Sequence, residues 1–103
     1  MTIQVMNVES MQEFSTDEVH PIVLHQSEGL VTLLLCLEEG QAVGPCVMTT
    51  RVLYLVLSGR GQLSVTGEQE QLINASSLAV VPAGVVRTLL ASERSRVLAI
   101  QVA

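Results

Sequence analysis

A chain of 103 residues has the length of one domain and can bury a single modest core. With 49% of its residues hydrophobic and 15% charged, it has ample apolar surface to offset its ordering entropy, which excludes a disordered chain. Ten acidic residues against five Arg and no Lys leave a net charge of −5, so neither nucleic acid nor an anionic membrane surface is an expected partner. No apolar run approaches the ~20 residues of a membrane span. The opening MTIQVMNVES lacks the positive flank and apolar centre of a signal peptide, and the expected location is the cytoplasm. Phe14 and Tyr54 are the two aromatics, so the core has to be built from Val, Leu, Ile, Ala and Met.

In chain order, residues 7–14 (NVESMQEF) space Val8, Met11 and Phe14 three apart behind a capping Asn7 and predict one short helix. The polar stretch 15–20 ends before Pro21 and reads as a connection, making residues 1–20 an N-terminal arm and 21–103 the body of the protein. From Pro21 onward the pattern is β. Strands are predicted at 21–25, 30–37, 52–57, 62–67, 70–75, 78–83, 85–91 and 96–102, separated by SEG, EEG, SGRG, TGE, PAG and SERS turn signals. Short strands at this spacing specify an all-β antiparallel barrel or sandwich. LVTLLLCL (30–37) and VLYLVL (52–57) are apolar on both faces, so one face belongs to the interior and the other to a second layer or a partner subunit. A homodimer is the expected assembly.

The stretch from Gly40 to Gly61 carries a spacing that resembles a known family. Gly40 is followed by five residues, Cys46-Val47-Met48, three residues, Val52, six residues and Gly59. Further on, Ser76 is followed by five residues, Pro82-Ala83-Gly84, two residues, Arg87, three residues and Ala91. These are similar to the two motifs of the cupins, small jelly-roll barrels also described as a double-stranded β-helix, and the resemblance extends over about Gly29–Val102. In that family the matching positions hold His, His and Glu in the first motif and His in the second, and together they bind a divalent metal in the barrel. Here they are Cys46, Met48, Val52 and Arg87. Val52 has no lone pair and Arg87 brings a permanent positive charge, so no Fe, Mn, Ni or Zn, and no other cofactor, is expected. Cys46 and Met48 are soft donors of the kind Cu(I) prefers, but no further ligand stands near them in sequence.

Strand alternation through the motifs puts Cys46, Met48, Val52 and Tyr54 on one inward face, with Arg87 and Leu89 facing them from another strand. Such a lining is an apolar pocket with a thiol, a phenol and a guanidinium, suited to a small organic anion. Arg87 can serve that anion, or it can turn toward the barrel mouth and pair with an acidic residue or solvent. Arg51 should point away from Val52, to the surface. Cys36 and Cys46 match neither a disulfide framework nor a zinc motif and read as free thiols. A nucleophilic Cys46 would need a base, and His20 and His25 sit at the ends of the first predicted strand, outside both motifs. Three functions remain open: a non-metal binding or sensing protein, a metal-independent isomerase or lyase acting on a small acid, and a structural module with a filled barrel.

Overall fold

The computed structural model describes residues 2–103. Among these residues nine antiparallel strands follow a single 3-10 turn at Val8–Ser10: β1 (Ile22–Ser27), β2 (Leu30–Leu37), β3 (Ala42–Cys46), β4 (Arg51–Ser58), β5 (Arg60–Val65), β6 (Gln71–Asn74), β7 (Leu78–Val81), β8 (Arg87–Ala91) and β9 (Ser95–Val102). They form two sheets, one ordered β1-β2-β9-β4-β7 and the other β3-β8-β5-β6. Apart from the β1–β2 and β5–β6 hairpins, neighbours in each sheet are distant in sequence, so the chain crosses repeatedly from one sheet to the other, as a jelly roll requires. Among the described residues no helix is long and apolar enough to cross a membrane.

Alternation decides which side chains meet between the sheets. On the first sheet Leu35 and Leu37 of β2, Val52, Tyr54 and Val56 of β4, Val81 of β7, and Val97 and Ala99 of β9 point inward. They pack against Leu63 of β5, Ile73 of β6, and Leu89 and Ala91 of β8. With no large ring other than Tyr54 among them, the core relies on interlocking branched aliphatics.

The helix expected over 7–14 is reduced to one turn. Asn7 does cap it, accepting from the Glu9 amide at 3.0 Å. The chain beyond is held down by Arg96 of β9, which donates to the carbonyls of Val8 and Met11, and by Arg94, whose guanidinium stacks 3.7 Å from the Phe14 ring. Those carbonyls, bound to a side chain from across the sheet, support an extended path in place of further helical turns.

Strand β3 has no counterpart in the sequence-based expectations. Its AVGPC composition, interrupted by Gly44 and Pro45, hides it, and its pairing with β8 is irregular between Val43 and Cys46. The second motif differs from the family pattern where Ser76 replaces a glycine. Ser76 has φ = 73°, in the left-handed region that an L side chain adopts at a cost of about 1–2 kcal/mol. Its amide still closes the turn onto the Val56 carbonyl at 2.8 Å. Ser76→Gly is therefore expected to stabilise the fold by about 0.5–1 kcal/mol, the relief of backbone strain being partly offset by the greater entropy of Gly in the unfolded chain. A rise in the urea midpoint at unchanged slope is the measurement that checks this.

Candidate functional site in the barrel

The two motif segments are locked to each other by backbone hydrogen bonds. The Gly84 amide donates to the Met48 carbonyl at 2.8 Å, and Gly40 and Ala91 are joined by Gly40 N to Ala91 O at 2.8 Å. The β3–β4 connection and the Pro82-Ala83-Gly84 turn therefore lie side by side. Cys46 of β3 pairs with Arg87 of β8, and Arg87 pairs with Val65 of β5 on its other flank. From the opposite sheet, Val52 pairs with Val81 and Tyr54 with Ala79.

Of the six residues expected to share the interior, Val52, Tyr54, Arg87 and Leu89 are buried, and Cys46 and Met48 are half-buried, with Met48 packed on the core. The Arg87 guanidinium and the Cys46 thiol both lie close enough to the Tyr54 hydroxyl to act on it. Burial pushes the Tyr54 phenol above its ordinary pKa; Arg87 pulls it down and Cys46 adds to the upward shift. The net direction is upward, so Tyr54 is a protonated phenol at neutral pH, with an O–H to donate.

Arg87 does not turn to the barrel mouth. It is 2% exposed, the largest of the fully buried side chains, and its Nε and Nη1 are buried without a hydrogen-bond partner. The arginine–carboxylate pairs among the described residues are Arg60–Glu93 at 3.1 Å and Arg94–Glu38 at 3.0 Å, both on the surface. Among the described residues Arg87 and Ser95 are the buried polar or charged ones, and no carboxylate accompanies Arg87 inside. Thr50 Oγ1, in the segment between Met48 and Val52, is a further buried polar atom without a partner. Sequence reasoning missed it because a Thr in a connecting loop carries no signal of burial.

A divalent metal does not suit this set of side chains. The matching positions offer one thiol, one thioether, an alkyl group and a cation, and no group of three His, Cys, Asp or Glu stands together among the described residues. His20 lies 3.8 Å from Glu18, and His25 shares a hydrogen bond of 2.8 Å with Ser27, at the beginning of the body. Both cysteines are free, Cys36 fully buried on the first sheet and Cys46 half-buried at the site.

A cleft of about 930 Å³ separates β6 from β7, with Leu63, Val65, Ile73, Val81 and Val85 as its apolar wall and Gln69, Gln71 and Ser77 at its margin. None of the six expected residues lines it. It adjoins them through the strand register, since Val65 is the partner of Arg87 and Val81 the partner of Val52. A second gap, about 10 Å³ among Leu37, Val56, Leu89 and Val97, is no larger than one water molecule.

No family model matches the sequence, and no curated protein matches it. Solved structures do. An RmlC-like cupin protein from Desulfovibrio desulfuricans superposes with a TM-score of 0.89 at 16% identity, covering 98% of this chain and 97% of the other. A cupin superfamily protein from Desulfitobacterium hafniense DCB-2 gives 0.87 at 20% identity over 99% and 93% of the two chains. A protein with a double-stranded β-helix domain from Klebsiella pneumoniae gives 0.87 at 16% identity over 98% and 90%. The chain therefore has the cupin fold, as its glycine and proline spacing suggested.

Proposed function

We propose that this is a binding or sensing protein of the cupin fold that uses no metal and holds one small organic anion on Arg87. The observation that carries this reading is the buried guanidinium with two unpartnered donors. An isolated buried cation costs several kcal/mol, and native proteins retain one where something of opposite charge completes it. A carboxylate matches the planar fork of Arg in geometry. Because Arg87 is the one buried charge among the described residues, a single negative charge on the ligand balances it. A phosphate dianion would leave charge uncompensated.

The remaining walls, Val52, Met48 and Leu89, ask for an apolar body of modest size. The cleft between β6 and β7 lies on the flank of these walls, since Val65 and Val81 are the strand partners of Arg87 and Val52. Tyr54, kept protonated, donates to the anion or orients it, and this favours binding over proton abstraction from the ligand.

A thermal-shift series of monocarboxylates from acetate to hexanoate, with benzoate and inorganic phosphate alongside, tests the reading. A carboxylate with an apolar tail is expected to raise the melting temperature, by an amount equivalent to about 2.7 kcal/mol at a hundred times its dissociation constant. Phosphate should give a smaller shift. Millimolar carboxylates that leave the melting temperature unchanged would sink the anion site.

A further inference from the structure

The two cysteines of this chain stand in opposite surroundings. Cys46 is half-buried and is the cross-strand partner of Arg87, an arrangement that sets two β-carbons about 4.5–5.5 Å apart on one face of a sheet. Thiol and guanidinium also both act on the Tyr54 hydroxyl, so they share one region of the interior. Arg87 brings to that region a positive charge that is 2% exposed, with Nε and Nη1 unpartnered and no buried carboxylate among the described residues. Cys36 has no such neighbour. It is 0% exposed on the outer side of β2, where the Glu13 amide is directed at its Sγ at 3.4 Å, while Leu35 and Leu37 beside it point into the core.

The chemistry open to a thiol in this setting is narrow. His20 stands by Glu18 and His25 is bonded to Ser27, and among the described residues neither bonds to Cys46, which leaves it without the base that acyl transfer requires. Two-electron oxidation needs only the thiolate and a donor for the leaving oxygen. Its product is an anion, formed beside an uncompensated cation.

We infer that Cys46 is a modification site for small hydroperoxides, oxidised to a sulfenate that Arg87 holds. Cys46 Sγ attacks the hydroxyl oxygen of the hydroperoxide, so that an S–O bond forms and the O–O bond breaks. Sulfur gives up two electrons, and the second oxygen leaves as water or an alcohol after taking up the proton that the thiol released. The sulfenic acid then loses its own proton to solvent, because the guanidinium beside it favours the ionised form. Arg87 acts twice, meeting the leaving oxygen during the step and the sulfenate oxygen after it. Cys36 faces the other side of the first sheet and cannot resolve the product into a disulfide, so the sulfenate persists until an external thiol reduces it or a second hydroperoxide carries it to the sulfinate. The inference shares with the carboxylate reading only the unpartnered guanidinium, and it needs no bound ligand.

Freshly reduced protein treated with a few equivalents of hydrogen peroxide, in the absence of carboxylates, provides the test. Peptide mass spectrometry after dimedone trapping is expected to find the label on Cys46 and not on Cys36. Exposure alone would give that much, so two further readouts decide. Arg87→Met, verified as folded by an unchanged far-ultraviolet circular dichroism spectrum, is expected to be oxidised at Cys46 at least about tenfold more slowly. Oxidised, untrapped wild type is expected to melt at least about 4 °C above the reduced protein, whereas an oxygen added where no donor waits for it overpacks its surroundings and lowers the melting temperature. This second comparison is made on the wild type and does not depend on the variant. Cys46→Ser should show neither the label nor the rise. Label on Cys36 ahead of Cys46, an equal rate in Arg87→Met, or a melting temperature unchanged or lowered by oxidation would each overturn the inference. The carboxylate reading survives any of these results, since its thermal shifts are measured on reduced protein.

Discussion

Arg87→Met is expected to unfold at a higher urea concentration than the wild type when both are free of ligand, and to lose any response to carboxylates. The expected gain is about 1–4 kcal/mol, by analogy with the range found when a buried ion pair gives way to apolar residues of similar volume. For a domain of this size each kcal/mol corresponds to roughly 4–8 °C in melting temperature. The argument rests on the state of the guanidinium, which is 2% exposed with Nε and Nη1 unpartnered and no buried carboxylate to balance it. Met is flexible enough to fill the vacated space among Val52, Leu89 and Met48 without forcing an eclipsed rotamer. A structural arginine behaves in the opposite way: losing it breaks a satisfied network and destabilises by several kcal/mol. Urea curves with equal slopes for the two proteins separate these outcomes. An Arg87→Met protein that is less stable than the wild type without ligand would mean that the guanidinium is satisfied by the protein itself. Arg87→Lys sharpens the comparison, because it keeps the charge and loses the fork, so ligand response should weaken while the apo protein stays no more stable than wild type.

The parts of this fold that were legible in the sequence are those set by local chemistry. Long runs of Val and Leu between turn residues specified the strands that became β2, β4 and β9, and the Gly and Pro spacing placed Val52, Tyr54, Arg87 and Leu89 on the barrel interior. Strand β3 was not legible, because Ala42–Cys46 has one large aliphatic in five residues and is held in place by β8, a strand reached much later in the chain. The helix at 7–14 failed for a related reason: spacing and cap were correct, but Arg96, more than eighty residues away, engages the carbonyls that set the arm's path. For the site, alternation is a property of neighbours in sequence and predicted inward orientation. Whether Arg87 finds a partner depends on what every other strand brings to the same place, and there alternation left two answers open. The cleft between β6 and β7 was not visible at all, since it arises where two edge strands from different sheets fail to close on each other.

Gly59 carries the second large effect, because it joins the hairpin of β4 and β5 to the turn before β9. It has φ = 88°, and a β-carbon built there would run into Ser95 Oγ and the Arg94 carbonyl and lie 2.7 Å from Ser95 Cα. Ser95 cannot retreat easily. It is 3% exposed, and its hydroxyl donates to the Glu93 carbonyl at 2.7 Å, with the Arg60 carbonyl 3.2 Å away as the alternative acceptor. Gly59→Ala therefore combines a left-handed backbone cost of about 1–2 kcal/mol with overpacking of about 1–3 kcal/mol, which is a large fraction of the roughly 5–15 kcal/mol that holds a domain folded. Gly67 isolates the first contribution from the second. Its φ is 85°, nearly the same, but nothing lies within 4 Å of the position a β-carbon would take. Gly67→Ala should therefore lose only the backbone share, and the difference between the two variants in urea denaturation measures how closely the two turns are pressed together. Equal losses would mean that the β8–β9 turn moves aside, and that the motif glycine is required for its dihedral angle alone.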